Sequence, residues 1–551
     1  VCVLEKKERS VGDKEEGMLR TDLIAPIAVL MERHAHARGG KSAYQDARRS
    51  VTYADLLRRT GKLAGHLADL SIAAAESVAI LLPNSVDWVE ACFATTRAGA
   101  ICVPISYESS EPEILYRLND AACRAIVTTD EKCELVARLR AQVPSLSTII
   151  LTNRGPKPGD GLRFSDLAKS APKSPPRDPT NIDAPAYIVY TSGTTGRAKG
   201  VVLTVRGMLW VTAACWAPIC GLSDKDSVLS PLPLFHSYAL NLSVLSILAT
   251  GASEYIMEKF ATDEVLSLLR AASYTLMPGV PTMYHYLLQR AREEEASKSK
   301  PRSLFARSTP ASASKLPRVR LCVSAGAIMP ATLNREFEEF FSVPLLDGYG
   351  ITETSTMVTM NWPVGGRVLG SCGFPVPGLA VRIIDPANGK DAPLGAEGEL
   401  IVRGPNVMLG YHNKPAETAA ALREGWYRTG DLARSDPNGF LAITGRLKEL
   451  IIRGGQNIAP AEIEEAVNKF PPVLDSAVVG IPHEHLGEVP VLFVVPRPGA
   501  MIDTDALLSH CAAQLSAYKV PQSVHVIAEI PRTGSGKIIR FKLRELLVTL
   551  P

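Results

Sequence analysis

The rhythm of apolar positions changes along this chain, and the changes divide it. Ala54 to Leu70 carries apolar residues at helical spacing, and Trp88 to Ala98 does so again. Short apolar runs lie around them: Val78-Ala79-Ile80-Leu81-Leu82-Pro83, Ala100-Ile101-Cys102-Val103-Pro104-Ile105, Ala125-Ile126-Val127-Thr128-Thr129 and Thr148-Ile149-Ile150-Leu151. Ala186-Tyr187-Ile188-Val189 and Val201-Val202-Leu203 continue the series. Runs this short, rich in β-branched residues and closed by turn residues, predict buried strands. From Ile24 to about Asn361 strands and helices alternate, which predicts a parallel sheet covered on both faces.

Beyond Asn361 the texture becomes short strands separated by Gly/Pro turns, as in Leu379 to Asp385 and Gly398 to Arg403. This predicts a β-rich, barrel-like subdomain. A small α+β domain is expected from about Lys448, with a helix over Pro460 to Lys469 and strands over Ser476 to Ile481 and Val489 to Val495. The fold class read from the pattern is α/β and multidomain, which suits 551 residues, too many for one core. The expected division is a tail over 1–17, a large domain over 18–447 and a small domain over 448–551. Within the large domain, 18–361 is α/β and 362–447 is β-rich.

Composition narrows the class. The chain is 46% hydrophobic and 21% charged with a net charge of +3, which suits a globular enzyme and calls for no nucleic acid. Ten cysteines without a C-x-x-C pair read as reduced thiols in a cytoplasmic protein. No apolar run reaches the roughly 18 residues that a membrane span needs. Residues 1–17 mix Glu5-Lys6-Lys7-Glu8-Arg9 with Asp13-Lys14-Glu15-Glu16 and show no apolar face, so a disordered, dispensable tail with Met18 as the natural start is expected. Lys298 to Lys315, rich in Ser, Pro, Arg and Lys, reads as a surface loop.

The chemistry concentrates in Tyr190-Thr191-Ser192-Gly193-Thr194-Thr195-Gly196-Arg197-Ala198-Lys199-Gly200, which lies between two predicted strands. Glycines let the backbone approach closely, so N–H groups and hydroxyls here can wrap a polyphosphate, with Arg197 and Lys199 adding charge. The pattern points to a nucleoside triphosphate. It is not a P-loop: Gly193 and Gly196 are too close, Gly200 follows Lys199 where Ser or Thr is needed, and a β-branched run follows where a helix should start. The same composition also suits an ordinary polar hairpin turn.

The loop resembles the signature of the adenylate-forming superfamily, which includes acyl-CoA synthetases, aryl-CoA ligases, firefly-type luciferases and the adenylation domains of peptide synthetases. Five further segments match in the expected order. They are Leu232-Pro233-Leu234-Phe235-His236-Ser237, Gly348-Tyr349-Gly350-Ile351-Thr352-Glu353-Thr354, Tyr427-Arg428-Thr429-Gly430-Asp431-Leu432, Gly445-Arg446-Leu447-Lys448-Glu449-Leu450 and Pro531-Arg532-Thr533-Gly534-Ser535-Gly536-Lys537. The resemblance covers about Ile24 to Leu547 and implies two packed α/β sheets, a β-barrel-like subdomain and a mobile C-terminal domain.

It also implies an activity and a site. The expected enzyme is an AMP-forming acid–CoA ligase using ATP, CoA and Mg²⁺; an acyl-AMP ligase loading an acyl carrier protein is the alternative. Thr191, Ser192, Gly193, Thr194, Thr195, Gly196 and Lys199 would hold the β- and γ-phosphates. Glu353 would bind Mg²⁺, whose preference is for hard carboxylate oxygen, and Thr352 would contact the α-phosphate. Tyr349, after Gly348, would lie against adenine, with Gly326 and Ala327 passing the purine and the acyl pocket. Asp431 would accept from the ribose diol and Arg446 would donate to ribose or phosphate. Lys537 would be the catalytic cation bridging carboxylate and α-phosphate. Lys448 falls at the hinge position, and Gly454 and Gly455 would line a pantetheine channel after rotation. His236 would gate the acyl pocket toward that channel.

The acid is partly legible. No aspartate stands beside His236 to bind an amine, which argues against an α-amino acid, and Gly348 replaces the arginine of malonate-type ligases. An uncharged aliphatic or aryl acid is expected. Two departures bear on subfamily: Val205 and Gly207 stand where many relatives carry His and Asn, and Ala75-Glu76-Ser77 replaces a common Gly-Asp-Arg turn.

Overall fold

The computed structural model describes residues 19–152, 161–191, 198–271, 274–298, 316–454, 456–533 and 536–549. The tail over 1–17, Met18 and the Ser/Pro/Lys-rich segment over 299–315 lie outside these.

Two large sheets dominate. The first has eight strands in the order Gly410–Tyr411, Lys199–Thr204, Pro185–Thr191, Ile101–Pro104, Ser77–Leu81, Ala125–Thr129, Thr148–Thr152 and Leu162–Arg163. The second has nine, in the order Phe374–Pro375, Thr356–Met360, Leu345–Ile351, Leu321–Ser324, Leu276–Gly279, Ser227–Ser230, Ser253–Ile256, Ser42–Gln45 and Ser50–Thr52. Their middles are parallel, as the alternation of strand and helix predicts. Antiparallel pairing appears where the parallel reading does not hold: Lys199–Thr204 runs against both of its neighbours, and Thr356–Met360 against Leu345–Ile351. Short connections allow the reversals from Thr191 to Lys199 and from Ile351 to Thr356, since a parallel return needs a crossover of a dozen or more residues, whereas Gly410–Tyr411 joins its edge from far along the chain.

The helix Val86–Arg97 lies in the core shared by the two sheets, and every residue but Asp87 is buried. A helix apolar on all sides belongs between layers. Its two buried charges are answered locally. Glu90 meets Arg49 and Arg59, each at 2.6 Å, and Arg97 grips both oxygens of Asp178 at 2.7 and 2.9 Å. Two π-helical segments, Thr212–Trp216 and Leu240–Ser246, have no counterpart in the sequence reading.

Beyond 361, Phe374–Pro375 still extends the nine-stranded sheet before the β-rich region begins. That region is a five-stranded antiparallel sheet of Ala380–Ile384, Gly398–Arg403, Trp426–Ser435 and Leu422–Arg423, with Leu441–Arg446 also pairing with Trp426–Ser435, on the side away from Gly398–Arg403. Its pairing among the described residues is a branched sheet and not a closed ring. The short 3₁₀ turn Leu447–Glu449 then leads into a separate sheet built on the hairpin Val473–His483 and Gly487–Pro496. This last sheet has its own two apolar clusters.

Candidate active site

The glycine-rich loop spans the turn of an antiparallel pair in which Thr191 faces Lys199 and Tyr190 faces Gly200. Ser192, Gly193, Thr194, Thr195, Gly196 and Arg197 lie outside the described residues. Gly200 is set by packing: an added Cβ would come within 2.7 Å of Ile188 and 3.3 Å of His412. Lys199 forms an ion pair with Glu417, and its ammonium lies 5.0 Å from the centre of the Tyr411 ring.

The strand Leu345–Ile351 delivers Gly348 and Tyr349, and the 3₁₀ turn Thr352–Thr354 follows directly. The turn is braced from behind. Ser355, in the left-handed region at φ +52, gives its hydroxyl to the carbonyl of Asn406, and the Asn406 amide donates to the carbonyls of Thr354 and Met357. Thr352 is buried, with its hydroxyl 3.0 Å from that of Ser237. One oxygen of Glu353 accepts from the Tyr411 hydroxyl at 3.0 Å.

Asp431 and Arg446 face each other across neighbouring antiparallel strands, and their side chains pair at 2.7 Å. The second oxygen of Asp431 accepts from the Tyr349 hydroxyl at 2.5 Å. Both oxygens expected to meet a ribose therefore already hold protein donors, though each retains a second lone pair. Burial, with the Asp431 charge beside it, raises the Tyr349 hydroxyl well above its ordinary pKa.

Lys537 reaches this cluster from the C-terminal region. Its loop closes on itself: Thr533 donates to the Lys537 carbonyl at 2.8 Å, and the Lys537 N–H returns to the Thr533 hydroxyl at 3.1 Å. Arg532 staples the loop, donating to the Gly536 carbonyl at 2.8 Å and to both oxygens of Asp475 at 2.9 Å. Gly536 has φ +82, and an added Cβ would lie 3.2 Å from Val280 of the large domain. The positive φ favours glycine there, and the close approach to Val280 adds to the preference. Among the described residues the same Val280 is the only side chain within 4 Å of the would-be Cβ of Gly326, at 3.8 Å. Burial pushes the Lys537 ammonium below its ordinary range and Arg446 adds to this, while Asp431, Glu353 and Glu449 oppose it.

His236 caps a short helical turn, its Nδ1 accepting from the Tyr238 N–H at 3.3 Å. Burial, helped by the Lys537 charge, holds its pKa down at about 3, so the ring is neutral at physiological pH. Behind it Tyr238 stacks on Trp216 with ring centres 6.0 Å apart, and the Trp216 indole donates to Asn241 at 2.6 Å. Lys448 lies in the turn Leu447–Glu449, between the β-rich sheet and the C-terminal one. Gly454 is exposed, and its N–H bonds the Leu486 carbonyl of the C-terminal region; Gly455 lies outside the described residues. Ala327 follows Gly326 directly and is half-buried.

Several residues of the site went unread in the sequence. Ser237 lay within a quoted motif without a role. Arg532 likewise lay within the quoted Pro531 to Lys537 segment without a role. Tyr411, Glu417 and Asn406 carry no local pattern, because their importance arises from contacts made across long stretches of chain.

The comparisons with known proteins agree with this geometry. Residues 31–412 match the family described as AMP-binding enzyme, and residues 462–537 match its C-terminal domain. A feruloyl-CoA synthase of Amycolatopsis sp is 34% identical over 514 residues, covering 93% of this chain and 97% of that protein. An indoleacetate–CoA ligase of Aromatoleum aromaticum is 34% identical over 519 residues, covering 94% of this chain and 97% of that protein. Among solved structures, the anthranilate CoA ligase AuaEII in complex with anthranoyl-AMP has a TM-score of 0.86 at 27% identity, covering 97% of this chain and all of that one. ATP-bound MatB from Rhodopseudomonas palustris has a TM-score of 0.82 at 31% identity, covering 94% of this chain and 98% of that one. The motifs, the two sheets and both domain matches coincide: the chain belongs to the AMP-binding enzymes of the adenylate-forming superfamily.

Proposed function

We propose that this enzyme joins an uncharged aryl or aliphatic carboxylic acid to coenzyme A by way of an acyl-AMP. The observation that carries the reading is the seating of the Lys537 loop on the large domain, with Gly536 against Val280, where the Lys537 ammonium feels the charges of Arg446, Asp431 and Glu353. An acid and an α-phosphate are both anionic, so joining them is chiefly a matter of charge neutralisation and alignment. In the first step a carboxylate oxygen attacks the α-phosphorus and pyrophosphate leaves; Lys537 lies between the two anions as charge builds. Asp431 and Tyr349 orient the nucleoside, and Thr352 faces the α-phosphate. In the second step the CoA thiolate attacks the acyl carbonyl and AMP leaves.

The residues present fit Mg²⁺. Glu353 has one oxygen committed to Tyr411, and no cluster of three His, Cys, Asp or Glu side chains exists among the described residues. A single carboxylate completed by phosphate oxygens and water is the arrangement Mg²⁺ favours. When bound, the ion offsets negative charge on the triphosphate.

The two-step reading assigns 18–447 to nucleotide and acid, and 448–551 to a domain that turns at Lys448 to exchange Lys537 for Gly454 and Gly455. A neutral His236 suits a gate better than a cationic partner for the thiol. The acids named for the feruloyl, indoleacetate and anthranilate relatives support an aryl acid. Nothing observed favours an acyl carrier protein as acceptor. No helix among the described residues is long and apolar enough to cross a membrane, and a cytoplasmic location is part of the proposal. The test is ATP-dependent pyrophosphate release over a panel of aryl, aliphatic, dicarboxylic and amino acids, followed by thioester formation with CoA. An aryl or aliphatic acid should give both. A preference for amino or dicarboxylic acids, or release of pyrophosphate with none, would overturn the assignment.

A further inference from the structure

Lys199 is where the phosphate lysine should be, yet its charge is already taken. It pairs with Glu417, in the helix Pro415–Ala421, and lies over the Tyr411 ring at 5.0 Å. The arrangement is built into the sheet. Gly410–Tyr411 pairs antiparallel with Lys199–Thr204, and the N–H groups of Leu409 and His412 bond the carbonyls of Val202 and Gly200 at 3.0 and 2.7 Å. Tyr411 donates its N–H to the Thr418 hydroxyl at 2.9 Å, which fixes the start of the helix that carries Glu417. The Tyr411 hydroxyl holds Glu353 at 3.0 Å, and the N–H of Met408 bonds the Glu353 carbonyl at 2.8 Å. One short segment, 408–418, thus binds both the acid expected at the metal and the lysine expected at the phosphates.

We infer that Glu417 is an internal competitor of the triphosphate: its carboxylate holds Lys199 on the Tyr411 ring in place of a phosphate, and ATP binds by exchanging one anion for the other. The inference rests on the proposed role of Lys199. Chemically, the exchange trades a carboxylate for a phosphate oxygen at a cation that moves little, because the Tyr411 face supports it in either state. The pair is partly exposed, with side chains 24% and 40% accessible, so it is weak enough to be displaced. Tyr411 is then a positioning residue for both Lys199 and Glu353, and Glu417 sets how tightly the triphosphate is held. After pyrophosphate leaves, recapture of Lys199 by Glu417 favours an empty phosphate site.

The experiment measures equilibrium binding of ATP and of AMP by calorimetry, without acid substrate, to the full-length enzyme and to Glu417→Gln, Lys199→Gln and the double variant. Glu417→Gln should bind ATP about two- to fivefold more tightly, the range an exposed ion pair supports. Its AMP affinity should not change, since AMP lacks the phosphates that compete. Lys199→Gln should weaken ATP, and adding Glu417→Gln to it should recover nothing. Unchanged or weaker ATP binding by Glu417→Gln would overturn the inference, as would an equal gain for AMP or a gain that persists without Lys199. If Lys199→Gln bound ATP as the parent does, the assignment of Lys199 to the phosphates would fail, a result distinct from the others. Tyr411→Phe, which keeps the ring and loses the hydroxyl, should retain the Glu417→Gln gain.

Discussion

Tyr349 gives its phenolic hydrogen to Asp431 at 2.5 Å, bonding the nine-stranded sheet to the β-rich sheet where the proposed function puts the nucleoside. With Arg446 at 2.7 Å on the other oxygen, Asp431 is held by two donors from two different strands. Its orientation is set before any ribose arrives.

That pre-setting makes a graded prediction. Asp431→Asn cannot serve Arg446, Tyr349 and two ribose hydroxyls together, and should raise the ATP KM by about 10- to 100-fold, the worth of one or two charge-assisted hydrogen bonds. Tyr349→Phe keeps the ring and loses one brace, and should cost about tenfold or less. Steady-state kinetics with ATP and 2′-deoxy-ATP checks both: Asp431→Asn should discriminate between the two nucleotides less than the parent does. Unaltered discrimination would remove Asp431 from the ribose.

Lys448 lies in the three-residue turn between the β-rich sheet and the C-terminal sheet. A proline there fixes φ and restricts the residue before it. Lys448→Pro should therefore leave pyrophosphate release within about threefold of the parent and slow thioester formation by about tenfold or more, because only the second half-reaction needs the turn to rotate. Rapid-quench measurement of each half-reaction decides it. Equal losses in both would argue against a hinge.

Glu254 offers a test of stability that is independent of the site. It lies 2% exposed in the strand Ser253–Ile256, and among the described residues neither carboxylate oxygen has a well-formed hydrogen bond. The Ser243 and Ser230 hydroxyls beside it bond each other at 2.8 Å, and only partly offset the burial that raises its pKa well above 4.5. The folded state therefore holds a proton that the unfolded state releases above about pH 4.3. Stability falls as pH rises from there, because the native state binds more protons. Glu254→Gln removes this dependence and should raise the melting temperature by about 1–3 °C at pH 8, with a smaller gain at pH 5. Thermal unfolding at the two pH values measures it; a gain that shrinks toward alkaline pH would contradict the sign.

Much of this was legible in the chain. Strands Ala125–Thr129 and Gly398–Arg403 fall where the apolar runs put them, because a buried strand has few ways to be written. His236, Glu353, Asp431 and Lys537 carried recognisable local motifs, and the fold brings Glu353, Asp431 and Lys537 close enough to influence one another. What could not be read depends on distance along the chain. Tyr411 acts on Glu353 from 58 positions away, and the braces of the Thr352–Thr354 turn come from Asn406. The reversal at Lys199–Thr204 was present in the sequence only as the alternative of a hairpin turn. Parallel and antiparallel central strands share the same apolar run once both faces are covered.

The account depends on Lys537 serving bond formation without serving nucleotide binding. In Lys537→Ala, the most direct measurement pairs single-turnover acyl-AMP formation with the equilibrium Kd for ATP. Adenylation should fall by about 100-fold or more, as when a group that meets charge in the transition state is removed. The Kd should stay within about threefold, since Asp431, Tyr349 and the glycine-rich loop remain. Near-parental acyl-AMP formation would contradict the account, and so would a loss of ATP affinity that matches the loss of rate.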